Sequence, residues 1–121
     1  MKYMLLIYDD EQGWGKLRET ERLQIFEEYM QFTQQIKSSG PYLAGAQLHP
    51  TSAAPSVRAL NDKRLVTDSL FAETREQFGG HSLIDAKDLD ETIGIAARIP
   101  SVRLSTVEVR PVIEAPGRTT A

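Results

Sequence analysis

The segment Tyr3–Tyr8 reads as a strand with two apolar faces, Met4 and Leu6 on one side and Tyr3, Leu5 and Ile7 on the other. A strand of that pattern is normally covered on both sides. A second short segment, His81–Asp85, repeats the pattern with Leu83 and Ile84 pointing opposite ways. In a chain of 121 residues, long enough for one domain, these two strands are expected at the centre of a single sheet. What lies on each face of that sheet then decides the architecture.

The remaining pattern supplies only two helices. Glu19–Ser38 carries Ile25, Phe26, Tyr29, Phe32 and Ile36 at three- and four-residue spacing, with Gly40-Pro41 as its stop. Leu89–Ile99 follows Asp88 as N-cap, with Glu91 three residues later and Pro100 at its end. Its expected buried stripe is Leu89, Ile93, Ala96 and Ile99 or Ala97. Asp9–Arg18 reads as a polar loop around Gly13, Trp14 and Gly15, and Tyr42–Leu48 as a strand. Val57–Leu60 and Arg64–Thr67 read as a hairpin around Asn61-Asp62-Lys63, and Thr106–Ile113 as an alternating last strand. Strand, helix, strand, hairpin, strand, helix, strand is a ferredoxin-like βαββαβ α+β sandwich with an inserted hairpin. Two helices cover one sheet face only. The other is expected to pair with a second copy of the chain, so that a homodimer completes the core.

Composition excludes several chemistries. With no cysteine there is no disulfide, thiol nucleophile or thiolate metal site, and two histidines, His49 and His81, make a poor imidazole centre. No metal and no cofactor are therefore expected. Fourteen basic and seventeen acidic residues, net −3, argue against nucleic-acid binding. The longest apolar run is far short of the roughly twenty residues of a membrane span, and the start lacks a cleavage-site pattern. A cytoplasmic location without membrane contact is expected. There is no G-x-S-x-G elbow, phosphate-binding glycine loop, G-x-G-x-x-G or H-E-x-x-H.

Five segments in order resemble the YCII-related proteins, in the branch named after its Asp-Gly-Pro-Phe motif. They are Lys2–Tyr8, Val66–Glu76, Gly79-Gly80, Ala96–Pro100 and Val107–Val112. The resemblance spans residues 1–114 as one domain and leaves 115–121 as a flexible tail. It implies a dimeric ferredoxin-like α/β barrel. It also implies kinship with small monooxygenases and muconolactone-type isomerases, and an association with sigma-factor signalling. Two features depart from the family pattern. The signature reads Asp68-Ser69-Leu70-Phe71 here, and His81 stands where the family carries an aromatic residue after the two glycines.

Two functions are open on these grounds. One is a dimer that binds a small molecule in a polar cavity, as an acid–base enzyme or as a binding protein. The other is a non-catalytic regulatory or interaction module of sigma-factor signalling. For the first, Asp68 is the candidate acid–base, at the end of a strand, with His81 or Glu73 as its partner. Glu73, Glu108, Arg98 and Arg110 are the candidate ligand-binding groups, the arginines anchoring an anion or carbonyl. The structural alternatives are an Asx turn at Asp68, a packing role for His81 and plain ion pairing among the rest.

Overall fold

The computed structural model describes residues 1–71 and 74–114. Glu73 and the expected tail, 115–121, lie outside the described residues. The elements run β1 (Lys2–Asp9), α1 (Glu11–Gly15), α2 (Glu19–Ser39), β2 (Tyr42–Gln47), β3 (Pro55–Leu60), β4 (Lys63–Asp68), β5 (Gln77–Asp85), α3 (Leu89–Ala97) and β6 (Ser105–Pro111). Short 3₁₀ turns at Thr51–Ala53 and Pro100–Arg103 fill two connections. The main sheet is antiparallel in the order β2-β5-β1-β6, and β3-β4 forms a separate two-stranded ribbon. This is the ferredoxin-like order, and the two strands with apolar faces on both sides, β1 and β5, are the central ones.

The register sorts the side chains. Tyr3, Leu5 and Ile7 face the helices, opposite Pro111, Val109 and Val107 on β6. With Ile84, Phe32, Ile36, Ile95, Ala96 and Ile99 they make the core, in which Leu5 and Ile84 are fully buried. Met4, Leu6 and Tyr8 line the other face, opposite Arg110, Glu108 and Thr106 on β6 and, for Met4 and Leu6, Leu83 and His81 on β5. No helix among the described residues covers that second face.

Three local expectations are corrected. The loop after β1 contains a one-turn helix, because the Asp10 carboxylate accepts from the Gln12 N–H at 3.1 Å and caps it. On α2, Ile25, Phe32 and Ile36 are buried but Phe26 is 55% exposed, since it sits about 100° around the helix from Ile25. On α3 the buried stripe is Thr92, Ile95 and Ala96, and Leu89 and Ile93 are exposed. The helix tolerates Thr92 inward because its hydroxyl donates to the Asp88 carbonyl at 2.9 Å.

The glycine pair also lies differently from expectation. Gly79-Gly80 falls inside β5, which begins at Gln77. Ile7 pairs with Gly80 and Tyr8 with Phe78, so Gly79 is the extra residue of a β-bulge.

Candidate functional site

The bulge at Gly79 exists to admit a carboxylate. A side chain built on Gly79 would place its Cβ 2.0 Å from Asp9 Oδ2. Asp9 is the last residue of β1, and its carboxyl group lies over the bare Cα of Gly79 while Oδ1 accepts from the Ser105 hydroxyl at the start of β6. Three strands therefore combine to fix one acid group. Gly80 serves a different need. A Cβ there would meet the Ala46 carbonyl at 3.1 Å, so its absence lets β2 approach β5 closely.

Asp9 opens into a cavity of about 730 Å³ between the helix-side face of the sheet and the first half of α2, with α1 as its roof. Trp14, Phe26, Tyr29 and Tyr42 contribute aromatic walls. Burial is the main cause that raises the Asp9 pKa, and the nearby Glu11 and Glu76 charges add to it. The Ser105 hydroxyl and the Trp14 indole pull the other way. The Tyr29 hydroxyl is pushed up to about 12, chiefly by burial and then by the Asp9 and Tyr42 charges, so it remains a neutral donor at physiological pH. Three residues bordering the cavity carry a buried polar atom with no hydrogen-bond partner of ordinary geometry among the described residues: Trp14 at Nε1, near enough to Asp9 to pull its pKa down, His81 at Nδ1, and Ser101 at its hydroxyl, Ser101 being 4% exposed. Buried polar groups normally find partners, and here the cavity is where a ligand atom would supply one.

The roof is tied down by one side chain. Glu11, at the start of α1, accepts from the Thr51 N–H at 2.8 Å and the Thr51 hydroxyl at 2.6 Å. The Glu11 backbone N–H donates to Gln77 Oε1 at 3.0 Å. These bonds join α1, the 3₁₀ turn after β2 and the start of β5. They hold Trp14 over the cavity.

Of the described residues singled out from sequence as site candidates, His81 borders the cavity and the others lie elsewhere. Asp68 ends β4, exposed on the hairpin ribbon, opposite Pro55. His81 is on the main sheet, half-buried on the face turned away from the helices, its ring stacked on Phe78 at 6.4 Å. Among the described residues no hydrogen bond joins the two. Arg110 pairs with Glu108 at 2.7 Å on that same open face, where Tyr8 also donates to Glu108 at 3.2 Å. Arg98 donates to Gln35 at 3.1 Å and lies over the Phe32 ring. The open face thus gathers His81, Glu108 and Arg110, whereas the cavity is built around Asp9. No group of His, Asp and Glu suited to a metal ion occurs among the described residues. No helix among them is long and apolar enough to cross a membrane.

Comparison with known proteins supports the fold. The family model described as YCII-related domain matches residues 1–116. A protein of Rhizobium meliloti (strain 1021), named "Uncharacterized protein R00369", is 35% identical over 116 residues, covering 92% of this chain and 91% of that one. Among solved structures, the chain is similar to 5-chloro-2-hydroxyhydroquinone dehydrochlorinase, TftG, from Burkholderia phenoliruptrix AC1100, solved with 2,5-dihydroxybenzoquinone. The TM-score is 0.53 with 14% identity, over 98% of this chain and all of that one.

Proposed function

This chain belongs to the YCII-related family, and on that premise we propose that it binds a small oxygenated molecule in the Asp9 cavity and exchanges a proton with it. One observation carries the reading. A carboxyl group is held by a bulge and a serine in a half-open cavity, with its pKa raised by burial. A general acid–base works best when its pKa lies near the working pH, and burial moves Asp9 in that direction. Trp14 Nε1–H, the Ser101 hydroxyl and the Tyr29 hydroxyl would orient the oxygen atoms of the bound molecule. An acidic inner end disfavours a carboxylate or phosphate ligand and favours a neutral hydroxyl or carbonyl compound. The similar fold of a dehydrochlorinase solved with 2,5-dihydroxybenzoquinone supports an oxygenated ring as the class of ligand. The uncovered sheet face, with Met4, Leu6 and Tyr8, pairs with a second copy of the chain in the same reading.

The test uses catechol, hydroquinone and 2,5-dihydroxybenzoquinone as probes, with calorimetry for affinity and Trp14, the single tryptophan, as reporter of where catechol and hydroquinone bind. At least one probe is expected to bind wild type and to shift Trp14 emission, with affinity at least tenfold lower in Asp9→Ala. Equal affinity in the variant, or no binding of any probe at millimolar concentration, would overturn the reading.

A further inference from the structure

The β3-β4 ribbon is not used by the cavity and is hardly used by the monomer. Its six-residue strands pair Pro55–Leu60 with Lys63–Asp68. Asn61 and Asp62 close the turn with φ of 50° and 62°, the left-handed pair of a two-residue hairpin. It forms no ladder with the main sheet. The bonds at its base, from the Ser69 N–H to the Ala54 carbonyl and from the Ser69 hydroxyl to the Ser52 carbonyl, are local. Val57 and Val66 lie directly opposite each other and are 63% and 58% exposed, flanked on the same face by the pairs Pro55–Asp68 and Ala59–Arg64. A ribbon of two strands is marginal in water by itself, so an exposed Val–Val pair on one calls for a partner surface.

The same chain presents a surface of matching chemistry. On the open side of the sheet a groove of about 570 Å³ runs beside the base of the ribbon, walled by Tyr8, Phe71, Phe78 and Ala54. Glu76 stands in it, bonded to the Thr106 hydroxyl at 2.8 Å and to no cation among the described residues. The ribbon carries Arg58, Lys63 and Arg64, none of which meets a carboxylate among the described residues. An exposed ribbon bearing Val57, Val66 and Arg64 and an apolar groove bearing Glu76 thus occur on one molecule, with no ion pair to either charge among the described residues. Self-complementary patches of this kind close as a two-fold pair, each groove receiving the other's ribbon.

We propose that the β3-β4 ribbon is an intersubunit clasp, its Val57/Val66 face seated in the groove beside Tyr8 and Phe78 of a second copy and Arg64, on that same face, turned toward that copy's Glu76. The clasp rests on the homodimer reading given above and adds the element that secures it. The groove adjoins the Asp9 cavity, with Leu48, His49 and Pro50 bordering both, but the clasp itself asks nothing of the Asp9 carboxyl group.

The experiment measures the mass of wild type and of Val57→Asp/Val66→Asp by light scattering across a dilution series. Both valines are exposed, so the doubly charged variant is expected to keep its fold, which circular dichroism checks. Wild type should be a dimer, and the variant should dissociate at a concentration at least tenfold higher. A dimer equally tight in both overturns the clasp alone, and a monomeric wild type overturns the clasp and the dimer together. A second measurement does not depend on that variant. The chain has no cysteine, so Val57→Cys carries a single photo-crosslinker in a mixture of isotopically heavy and light chains. Heavy-to-light crosslinks into the peptide containing Phe78 are expected. Crosslinks confined to one chain would overturn the clasp. Probe binding, weakened in Asp9→Ala but not in the clasp variant, separates failure of the cavity reading from failure of this one.

Discussion

Asp9→Asn is expected to raise the melting temperature at neutral pH while removing the function of the cavity. The sign follows from the raised pKa of Asp9. In strong acid both the folded and the unfolded chain carry the proton, and ionisation of Asp9 costs nothing. As pH climbs through the window from the ordinary aspartate value to the raised folded one, the unfolded chain releases the proton first and the folded state loses stability. Above that window the full cost persists. An asparagine has no charge to bury and its amide oxygen still accepts from Ser105. The gain is of the size typical when functional strain is relieved, about 0.5–2 kcal/mol, or several degrees in a domain of this length. Thermal unfolding of both proteins between pH 3 and pH 8 checks it. The gain should be present at neutral pH and vanish in acid. Proton exchange with a bound ligand should fall by roughly 10²-fold or more, the usual contribution of a general acid–base.

Gly79→Ala carries the second large effect, and it should act through Asp9. The added methyl would stand 2.0 Å from Asp9 Oδ2 and 3.0 Å from Cγ, but 3.7 Å from Cβ, an ordinary contact. The carboxyl group must leave its seat and its bond to Ser105, or the strand must move. Overpacking of this kind costs about 1–3 kcal/mol. Truncating the acid removes the clash, so in an Asp9→Ala background the same substitution should cost much less. The difference between the two costs, read by urea unfolding, measures the coupling. Equal costs in both backgrounds would mean that Gly79 is required by the backbone and has no bearing on the acid.

These two positions show why the fold was easier to read than the site. The central strands announce themselves by apolar residues on both faces, and β6 by strict alternation. Asn61-Asp62 marks its turn because both residues tolerate positive φ. Each of these signals is local. The phase of a helix is less so. Phe26, Leu89 and Ile93 fit an apolar spacing, yet tertiary packing turned α2 and α3 so that Thr92 is buried and they are not. The site is wholly non-local. Asp9 looks like the first residue of a polar loop, next to an Asp10 that does act as a cap. Its role depends on Gly79, seventy positions away, and on Ser105 at the start of the last strand. The available signal was the glycine pair itself, which implied a close approach of some group. The sequence does not say that the group is Asp9, because that requires the register of β1 against β5. Asp68 and His81 drew attention as a titratable strand end and a lone imidazole, and the topology puts them on different sheets.

The measurement that bears most directly on the account is the titration of the Asp9 carboxyl carbon by NMR in aspartate-labelled protein, with Asp9→Asn identifying the resonance. The account predicts a midpoint clearly above the ordinary aspartate value of about 3.9, falling back toward it in Gly79→Ala as the carboxyl group is displaced into solvent. A wild-type midpoint at or below the ordinary value would contradict it.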